Sequence, residues 1–549
     1  MQCPMDATDS EASAVMEVDK IADETISNSP PPSPPETDRA RRHCSGKEDT
    51  EQQQQQLPLT TNPSILLNVL SSYGLDSKDL ASLEATCKFF RNPANFLPDV
   101  ALPLPEVAAF DACLQKAMFR SMKDEEKEWL KQRCGGSWKL VLGYLLVGER
   151  NYRREKAQVV AGPGHSIVVT AKGDVYSFGS NSSGQLGLGN TEDQFKPCLI
   201  RSLQGIRITQ AAVGSRRTML VSDKGSVYTF GQDAFGGMQF AGTAEVKCSS
   251  SPTLVESLKG IFVVQASIGG FFSAVLSREG RVYTFSWGRD KRLGHGSDLS
   301  DVEPRLLSGP LEDTLAVQIA AGNCYLLILA YHPTGMSVYS LGCGLGGKLG
   351  HGCSDTDLGI PKLIEHFQQL AVKPLSISAG AFHAVILGHD RRVYTWGWNF
   401  QSCLGHGGSE DCMTLPTLLE SLNGVKAVKV STGQNTTFVV ADNGDVYSFG
   451  WGTSFNLGLQ VNDIDNDGNV WTPKLASSLV ALDEKIAQIS ATNTWDWLGT
   501  EILYAHTFVL TESAKIYSFG GGGKGQLGFN LGQGKETMRS PARIAIDLV

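Results

Sequence analysis

Several groups of residues in this 549-residue chain have types and spacing that could do chemistry. Gly520-Gly-Gly-Gly-Lys524 has the look of a phosphate cradle. A P-loop needs Gly-x4-Gly-Lys followed by Ser or Thr, so that backbone N–H groups and a hydroxyl hold phosphate and Mg²⁺. Here Ser518 stands at the first glycine and Gly525 follows the lysine, so the segment does not fit. Asp463-Ile-Asp465-Asn-Asp467-Gly468 copies the start of a calcium loop, but the twelfth position, where a bidentate glutamate belongs, is Lys474. His295, His351 and His406 share one phrase, Leu-Gly-His-Gly, and His165, His383 and His506 recur at a second equivalent place. Residues at equivalent places in a repeat are spread around the assembly and do not converge on one metal. The second set reads as structural hydrogen-bonders. Twelve cysteines form no Cys-x-x-Cys pair, which argues against a zinc ribbon and for reduced thiols inside a cell. No nucleophile stands at a readable spacing from a base. The sequence therefore predicts no catalytic residues, no metal, no cofactor and no enzyme.

The elements that carry these groups are repeats. The phrase Val175-Tyr-Ser-Phe-Gly179 returns as Val227-Tyr-Thr-Phe-Gly231, Val282-Tyr-Thr-Phe-Ser286, Val338-Tyr-Ser-Leu-Gly342, Val393-Tyr-Thr-Trp-Gly397, Val446-Tyr-Ser-Phe-Gly450 and Ile516-Tyr-Ser-Phe-Gly520. From Tyr176 to Tyr447 the tyrosines are 52 to 56 residues apart, and the last step, to Tyr517, is 70. β-Branched and aromatic residues favour extended backbone. Apolar side chains at adjacent positions suit a strand covered on both faces. A second apolar strand precedes each phrase, as in Ile167–Thr170, joined to it by a turn such as Lys172-Gly173-Asp174; the seventh copy has Glu512-Ser513-Ala514-Lys515 instead. A glycine-rich loop follows the phrase, and a proline (197, 252, 304, 361, 416, 473, 541) comes before the next strand. One such unit cannot bury its own two faces, whereas seven in a ring can. The predicted fold is all-β, a seven-bladed β-propeller over 155–549, preceded by a small α-helical domain and a disordered tail.

The tail, 1–57, holds twelve acidic and five basic residues, the prolines 30–35 and the run Gln52–Gln56. It lacks the apolar surface that would offset its ordering entropy. Residues 58–154 read as helical. Ile65, Leu66, Val69 and Leu70 have helix spacing, as do Leu80, Leu83, Cys87 and Phe90, with Asp76 or Ser77 as cap. A further helix is predicted over 106–133, ended by Gly135-Gly136, and another from Ser137 through Val147. With a net charge of −9, nothing in the balance attracts nucleic acid or an acidic membrane. The longest apolar stretch, Leu140–Val147, is too short to span a bilayer, so a soluble intracellular protein is expected, with the nucleus favoured over the cytoplasm.

The order Ala161-Gly-Pro-Gly-His165, then 173–179, then Gly184-Gln-Leu-Gly-Leu-Gly189 resembles the RCC1 (regulator of chromosome condensation) repeat, and the arrangement with a helical extension is similar to plant-type members. The resemblance implies a seven-bladed propeller. Residues 62–91 resemble an F-box: Asn62-Pro63 to Ser71 match its first helix, and Asp79-Leu80, Leu83, Thr86-Cys87-Lys88 and Phe90-Arg91 its second. Asn62 departs from the usual leucine, and the link at Tyr73–Ser77 is longer than usual. That likeness makes Pro63, Leu66, Leu80, Cys87 and Phe90 candidates for docking a Skp1-like ubiquitin-ligase adaptor.

The family implies several activities. A protein-interaction scaffold fits the whole sequence. A nuclear regulator that binds histones fits the acidic character. Guanine-nucleotide exchange on a Ran-like small GTPase is opposed by the acidic tail and the regular repeats two to six. Ultraviolet-B sensing is opposed by Gly214–Thr218 and Gly269–Ser273, which lack the tryptophan of the Gly-Trp-Arg-His-Thr motif. The one long insertion, before the seventh phrase, carries Trp495, Trp497 and Leu498. They are candidate partner anchors, and the alternative that they fold back onto the ring stays equally open.

Overall fold

The computed structural model describes residues 70, 75–86, 102–152, 156–232, 248–312, 314–332, 334–408, 410–492, 505–532 and 535–546. Seven four-stranded antiparallel sheets, each made of consecutive strands, account for the described part of the propeller. The first blade shows the plan: β1 (Gln158–Ala161), β2 (His165–Val169), β3 (Val175–Gly179) and β4 (Gln194–Leu199) run from the inside of the ring outwards. The other blades occupy 208–254, 263–306, 315–363, 374–418, 427–475 and 486–544. Each Val-Tyr-Ser/Thr-aromatic phrase is the third strand, and the apolar run before it is the second. The second strand of blades 1, 3, 5, 6 and 7 is buried at every position, because a neighbouring blade covers each of its faces.

Thr229 of blade 2 donates to the Thr218 carbonyl, while in the other six of the seven blades the central Ser or Thr of the phrase has the same task. Its hydroxyl donates to the carbonyl of the leucine in the following loop: Ser177 to Leu186 (2.7 Å), Thr284 to Leu293 (2.6 Å), Ser340 to Leu349 (2.8 Å), Thr395 to Leu404 (3.0 Å), Ser448 to Leu457 (2.8 Å) and Ser518 to Leu527 (2.8 Å). A buried carbonyl would otherwise lack a donor.

The prolines fall elsewhere than the sequence suggested. All seven lie inside the fourth strands and not ahead of the next blade. The fourth strand is the outer edge of its sheet. There a missing N–H loses no ladder bond, and it blocks pairing with a second edge.

The ring closes without sharing a strand between its ends. A glutamine in the innermost strand clasps the backbone of the next blade. The Gln210 amide donates to the Ala266 carbonyl (3.1 Å) and accepts from the Ala266 N–H (2.9 Å). Gln265 makes the same two bonds with Ile319, Gln318 with Ile377, and Gln488 with Val159 across the seam. Gln158 accepts from the Ala211 N–H. At the remaining junctions Ser376 and Lys429 stand at the glutamine position; there Ser378, two residues on, bonds Thr432, and Lys429 bonds the carbonyls of Ile486 and Ala487.

Helices α1 (Ser77–Thr86), α2 (Leu104–Gln115), α3 (Ala117–Arg120), α4 (Asp124–Arg133) and α5 (Trp138–Tyr152) precede the ring. Asp76 is the cap of α1, accepting from the N–H groups of Lys78 and Asp79. The single helix expected over 106–133 is broken at extended Lys116 and again at Lys123, whose N–H donates to the Glu126 carboxylate and starts α4 afresh. Gly135 and Gly136 adopt positive φ and end α4. Glu106, nearly buried, accepts from the Trp138 N–H at 2.6 Å and caps α5, a favourable place for negative charge. The helices share one apolar cluster with blades 4 and 5, including Leu80, Phe119, Trp138, Leu145, Leu327 and Trp396. Tyr144 donates to the Arg278 carbonyl, Tyr331 donates to the Leu140 carbonyl, and Arg278 pairs with Glu126 at 2.8 Å.

The phrase-final glycines hold φ near +100°, and a Cβ at Gly231 would sit 2.2 Å from the Arg216 carbonyl oxygen. Blade 3 has Ser286 there, at φ 99°. The Gly231→Ala change is expected to lower unfolding stability by about 2–3 kcal/mol. Ser286→Gly is expected to raise it by about 1 kcal/mol, since Arg217 keeps its shorter bond to Ser273. Urea midpoints of the two variants against the parent check both signs.

Candidate functional site

The two sides of the ring differ. On one side are the hairpins between second and third strands, and over blades 3 and 4 this side meets the helices through Arg278, Tyr331 and their partners. The innermost strands surround a channel of about 430 Å³, lined by the glutamines, Ser376 and Lys429, and also by Arg150, Asn151 and Tyr152 at the end of α5. The other side carries the turns between first and second strands and the long loops after the phrase. We call this the loop face.

On the loop face the third residue of each turn lies across from the residue that follows the phrase, because one backbone bond extends the ladder there. The Trp287 N–H donates to Phe271, Cys343 to Cys324, Trp398 to Phe382 and Trp451 to Asn435. In blades 3 and 5 the facing side chains are aromatic pairs at 5.1 and 5.6 Å, both edge to face. The Arg292 guanidinium lies 4.6 Å from the Trp287 ring, and the Lys348 ammonium 5.8 Å from Phe382. Both cations are 1% exposed, which makes their ring contacts stronger than surface pairs. Around them Leu299, Leu345, Phe400 and Val461 are exposed on the loops, and Trp471 on the outer strand of blade 6. This is a surface of apolar tips set among fixed cations and rings, with the features that capture protein segments. The signal in the sequence was the Gly-x-aromatic turn followed, sixteen residues on, by Trp: Phe271 with Trp287 and Phe382 with Trp398.

The histidines are occupied by the fold. The Thr218 hydroxyl donates to the Gln185 carbonyl, so it accepts from Nε2–H of His165 (2.9 Å). The Thr437 hydroxyl donates to the Cys403 carbonyl and accepts likewise from His383 (2.9 Å). His506 reaches Ser166 across the seam at 2.8 Å. Full burial pushes the His165 and His383 rings down to about 3, so they are neutral. His295, His351 and His406 each bond the phrase hydroxyl of their own blade, at 3.0, 2.9 and 2.8 Å, and burial lowers all three. Among the described residues no three His, Cys, Asp or Glu side chains come together.

The other motifs are structural as well. Asp465 accepts from the N–H groups of Asp467 and Asn469 and from Trp471 Nε1, which makes a turn of the calcium-like segment. Gly525 of the phosphate-like segment abuts blade 1, where a Cβ would lie 2.8 Å from the Gln194 carbonyl oxygen. Trp396 is fully buried and donates to the Lys348 carbonyl.

Leu80 is 1% exposed and belongs to the chain's own core, while Pro63, Leu66, Cys87 and Phe90 lie outside the described residues. Trp495, Trp497 and Leu498 also lie outside them. The flanking Thr492 and Ala505 are on the loop face: Thr492 reaches the Gly162 carbonyl, and the Ala505 carbonyl accepts from the Gly521 N–H. The glutamine clasps were missed at the sequence level. Their mark is Gln four residues before a turn glycine, as in Gln210 with Gly214, Gln265 with Gly269 and Gln318 with Gly322.

A family model for the RCC1-like domain matches residues 146–494. The E3 ubiquitin-protein ligase HERC2 of Homo sapiens is 33% identical over 305 residues, 55% of this chain and 6% of the ligase. The ultraviolet-B receptor UVR8 of Arabidopsis thaliana is 29% identical over 302 residues, 55% of this chain and 66% of the receptor. The chain thus spans less than two thirds of each of these curated relatives. Among solved structures, Prp20p of Saccharomyces cerevisiae, described with its binding properties to Gsp1p and histones, superposes with a TM-score of 0.57 at 22% identity, covering 73% of this chain and 89% of Prp20p. That likeness is one of fold.

The neutral rings make the ring assembly acid-sensitive. Unfolded histidine binds a proton below about pH 6.5, whereas His165 and His383 resist it down to about 3. Stability is therefore full above the unfolded value and falls as pH drops through that window. Between pH 7 and pH 5 each ring is expected to remove about 2 kcal/mol. His383→Gln should shrink the pH 7-to-5 loss by about that amount, whatever its effect at pH 7. Urea unfolding of parent and variant at both pH values checks the difference.

Proposed function

The chain belongs to the RCC1-like domain family, and on that premise we propose that it is a non-enzymatic scaffold whose propeller captures protein partners on the loop face. The observation that carries this reading is the set of exposed Leu299, Leu345 and Phe400 among Trp287, Arg292, Trp398 and Lys348. A protein segment that presents apolar side chains matches the exposed tips, while the buried cations hold the rings beneath them in place. The insertion with Trp495, Trp497 and Leu498 begins and ends beside that face, and its indoles supply further anchors in this reading.

The N-terminal helices give the scaffold its second arm. In this reading the F-box-like residues Pro63, Leu66, Cys87 and Phe90 dock a Skp1-like adaptor of a ubiquitin ligase, and Leu80, first grouped with them, does not. The burial of Leu80 assigns it to holding α1 in place, which leaves Leu66 and Phe90 as the contacts to test. A nuclear role with histones or a Ran-like GTPase is the second reading. It is favoured by the fold shared with Prp20p and, for histones, by the net charge of −9.

Affinity purification of the full chain with mass spectrometry separates these readings. Loss of the recovered partner from the Trp495→Ala/Trp497→Ala double variant, by tenfold or more with an unchanged melting temperature, is the expected outcome. Equal recovery by parent and variant removes the insertion from the site. Recovery of histones or a GTPase without an adaptor selects the second reading. An adaptor that is recovered equally by parent and Phe90→Ala contradicts the docking assignment.

A further inference from the structure

Blade 4 lies between the two blades that carry a facing aromatic pair on the loop face. At the two facing positions filled by Phe271 and Trp287 in blade 3, and by Phe382 and Trp398 in blade 5, it has Cys324 and Cys343. The Cys343 N–H donates to the Cys324 carbonyl at 2.9 Å, one step beyond the register pair Tyr325 and Gly342. Facing residues of an antiparallel pair have Cα atoms ~4.5–5.5 Å apart. That falls in the ~4.4–6.8 Å range of a disulfide. The equivalent rings in blades 3 and 5 touch, so these positions aim their side chains at each other. Both thiols are free and partly exposed.

The surroundings are built for sulfur chemistry. Lys348 Nζ lies 3.4 Å from Cys343 Sγ, held by a 2.7 Å bond to the Leu345 carbonyl. Arg292, from the corresponding loop of blade 3, adds positive charge near Cys324. The Lys348 ammonium is thus placed to hydrogen-bond the Cys343 sulfur as it attacks an oxidant. Burial pushes the Cys324 thiol up, which keeps its proton on until a partner sulfur is activated.

We infer that Cys324 and Cys343 are a reversible oxidation site on the loop face, closed to a disulfide by a peroxide. The Cys343 thiolate attacks one oxygen of hydrogen peroxide. An S–O bond forms, the O–O bond breaks, and the departing hydroxide takes a proton to become water. The Cys324 sulfur then attacks the sulfenic sulfur. The S–S bond forms, the S–O bond breaks, and the released hydroxide takes the Cys324 proton. Two thiols lose two electrons and two protons, and one peroxide becomes two waters. A thiol reductant reverses the change.

The test uses the full chain, dilute hydrogen peroxide, quenching by alkylation and peptide mass spectrometry. Cys353, which is exposed, serves as the internal reference. A 324–343 linkage is expected to form about tenfold faster than Cys353 is oxidised, and dithiothreitol should remove it. Cys324→Ser should leave Cys343 as a sulfenic acid that dimedone traps, and Cys343→Ser should leave Cys324 reduced. Lys348→Met should slow the linkage while Lys348→Arg preserves it. Lys348 is buried, so a melting curve accompanies these two, and an unfolded Lys348→Met leaves the decision to the cysteine variants. Oxidation of Cys353 first, or linkage of either cysteine to another residue or another chain, overturns the assignment. None of these readouts involves a partner, so they stand or fall apart from the scaffold reading.

Discussion

A closed ring of sheets must satisfy the backbone of its innermost strands, whose free edges face the central channel and the next blade. Each of those strands has one edge paired within its own sheet and one edge facing a neighbour set at an angle, where a regular ladder cannot form. A side-chain amide solves this. The glutamine carries both a donor and an acceptor, so Gln210, Gln265, Gln318 and Gln488 each satisfy an N–H and a carbonyl of the following blade. Lys429 offers only donors and therefore takes two carbonyls instead. The hydroxyls of Thr218, Thr437, Thr507 and Ser166 form a second ring of such bonds farther out, each to a carbonyl of the preceding blade. An unpaired buried group costs about 1–3 kcal/mol, so the polar bonds decide which packing of the apolar faces is tolerated.

The strand plan was legible because its signal is local. The tyrosine-centred phrase fixes the third strand, the apolar run before it fixes the second, and seven copies in register leave the ring as the way to cover both faces. The prolines were misplaced because periodicity marks a strand by its buried residues, and the fourth strand has few: β4 is exposed or half-exposed throughout. The broken helix over 104–133 was hidden for another reason. Its interruption at Lys116 has no glycine or proline to announce it, and only the packing of Phe119 against Phe110 and Trp138 requires the bend.

The loop face was less legible. Trp287 and Trp398 were visible as residues following the phrase, yet their partners Phe271 and Phe382 lie sixteen positions earlier, on another turn. Pairing them requires the register of the hairpin between them. The same register makes neighbours of Cys324 and Cys343, which in one dimension are two cysteines among twelve. The helical region had the opposite difficulty. The spacing of Leu80 and Leu83 announced a helix correctly, but an apolar stripe says only that something will cover it. Here the cover is α2, α5 and, through the shared cluster, blades 4 and 5.

That no strand is exchanged between the ends of the ring bears on how the protein is made. The clasp between Val159 and Gln488 joins residues 329 positions apart. At a synthesis rate of ~5–20 residues per second, blade 1 waits roughly 20–60 s for the sheet that will cover its open flank. During that interval Val159, Val168 and Phe178, which end up sealed against Phe508 and Ile516, have only solvent or a chaperone as company. A nascent chain of this design is thus most prone to aggregate at its first blade, although in the finished ring that blade is as well covered as any other.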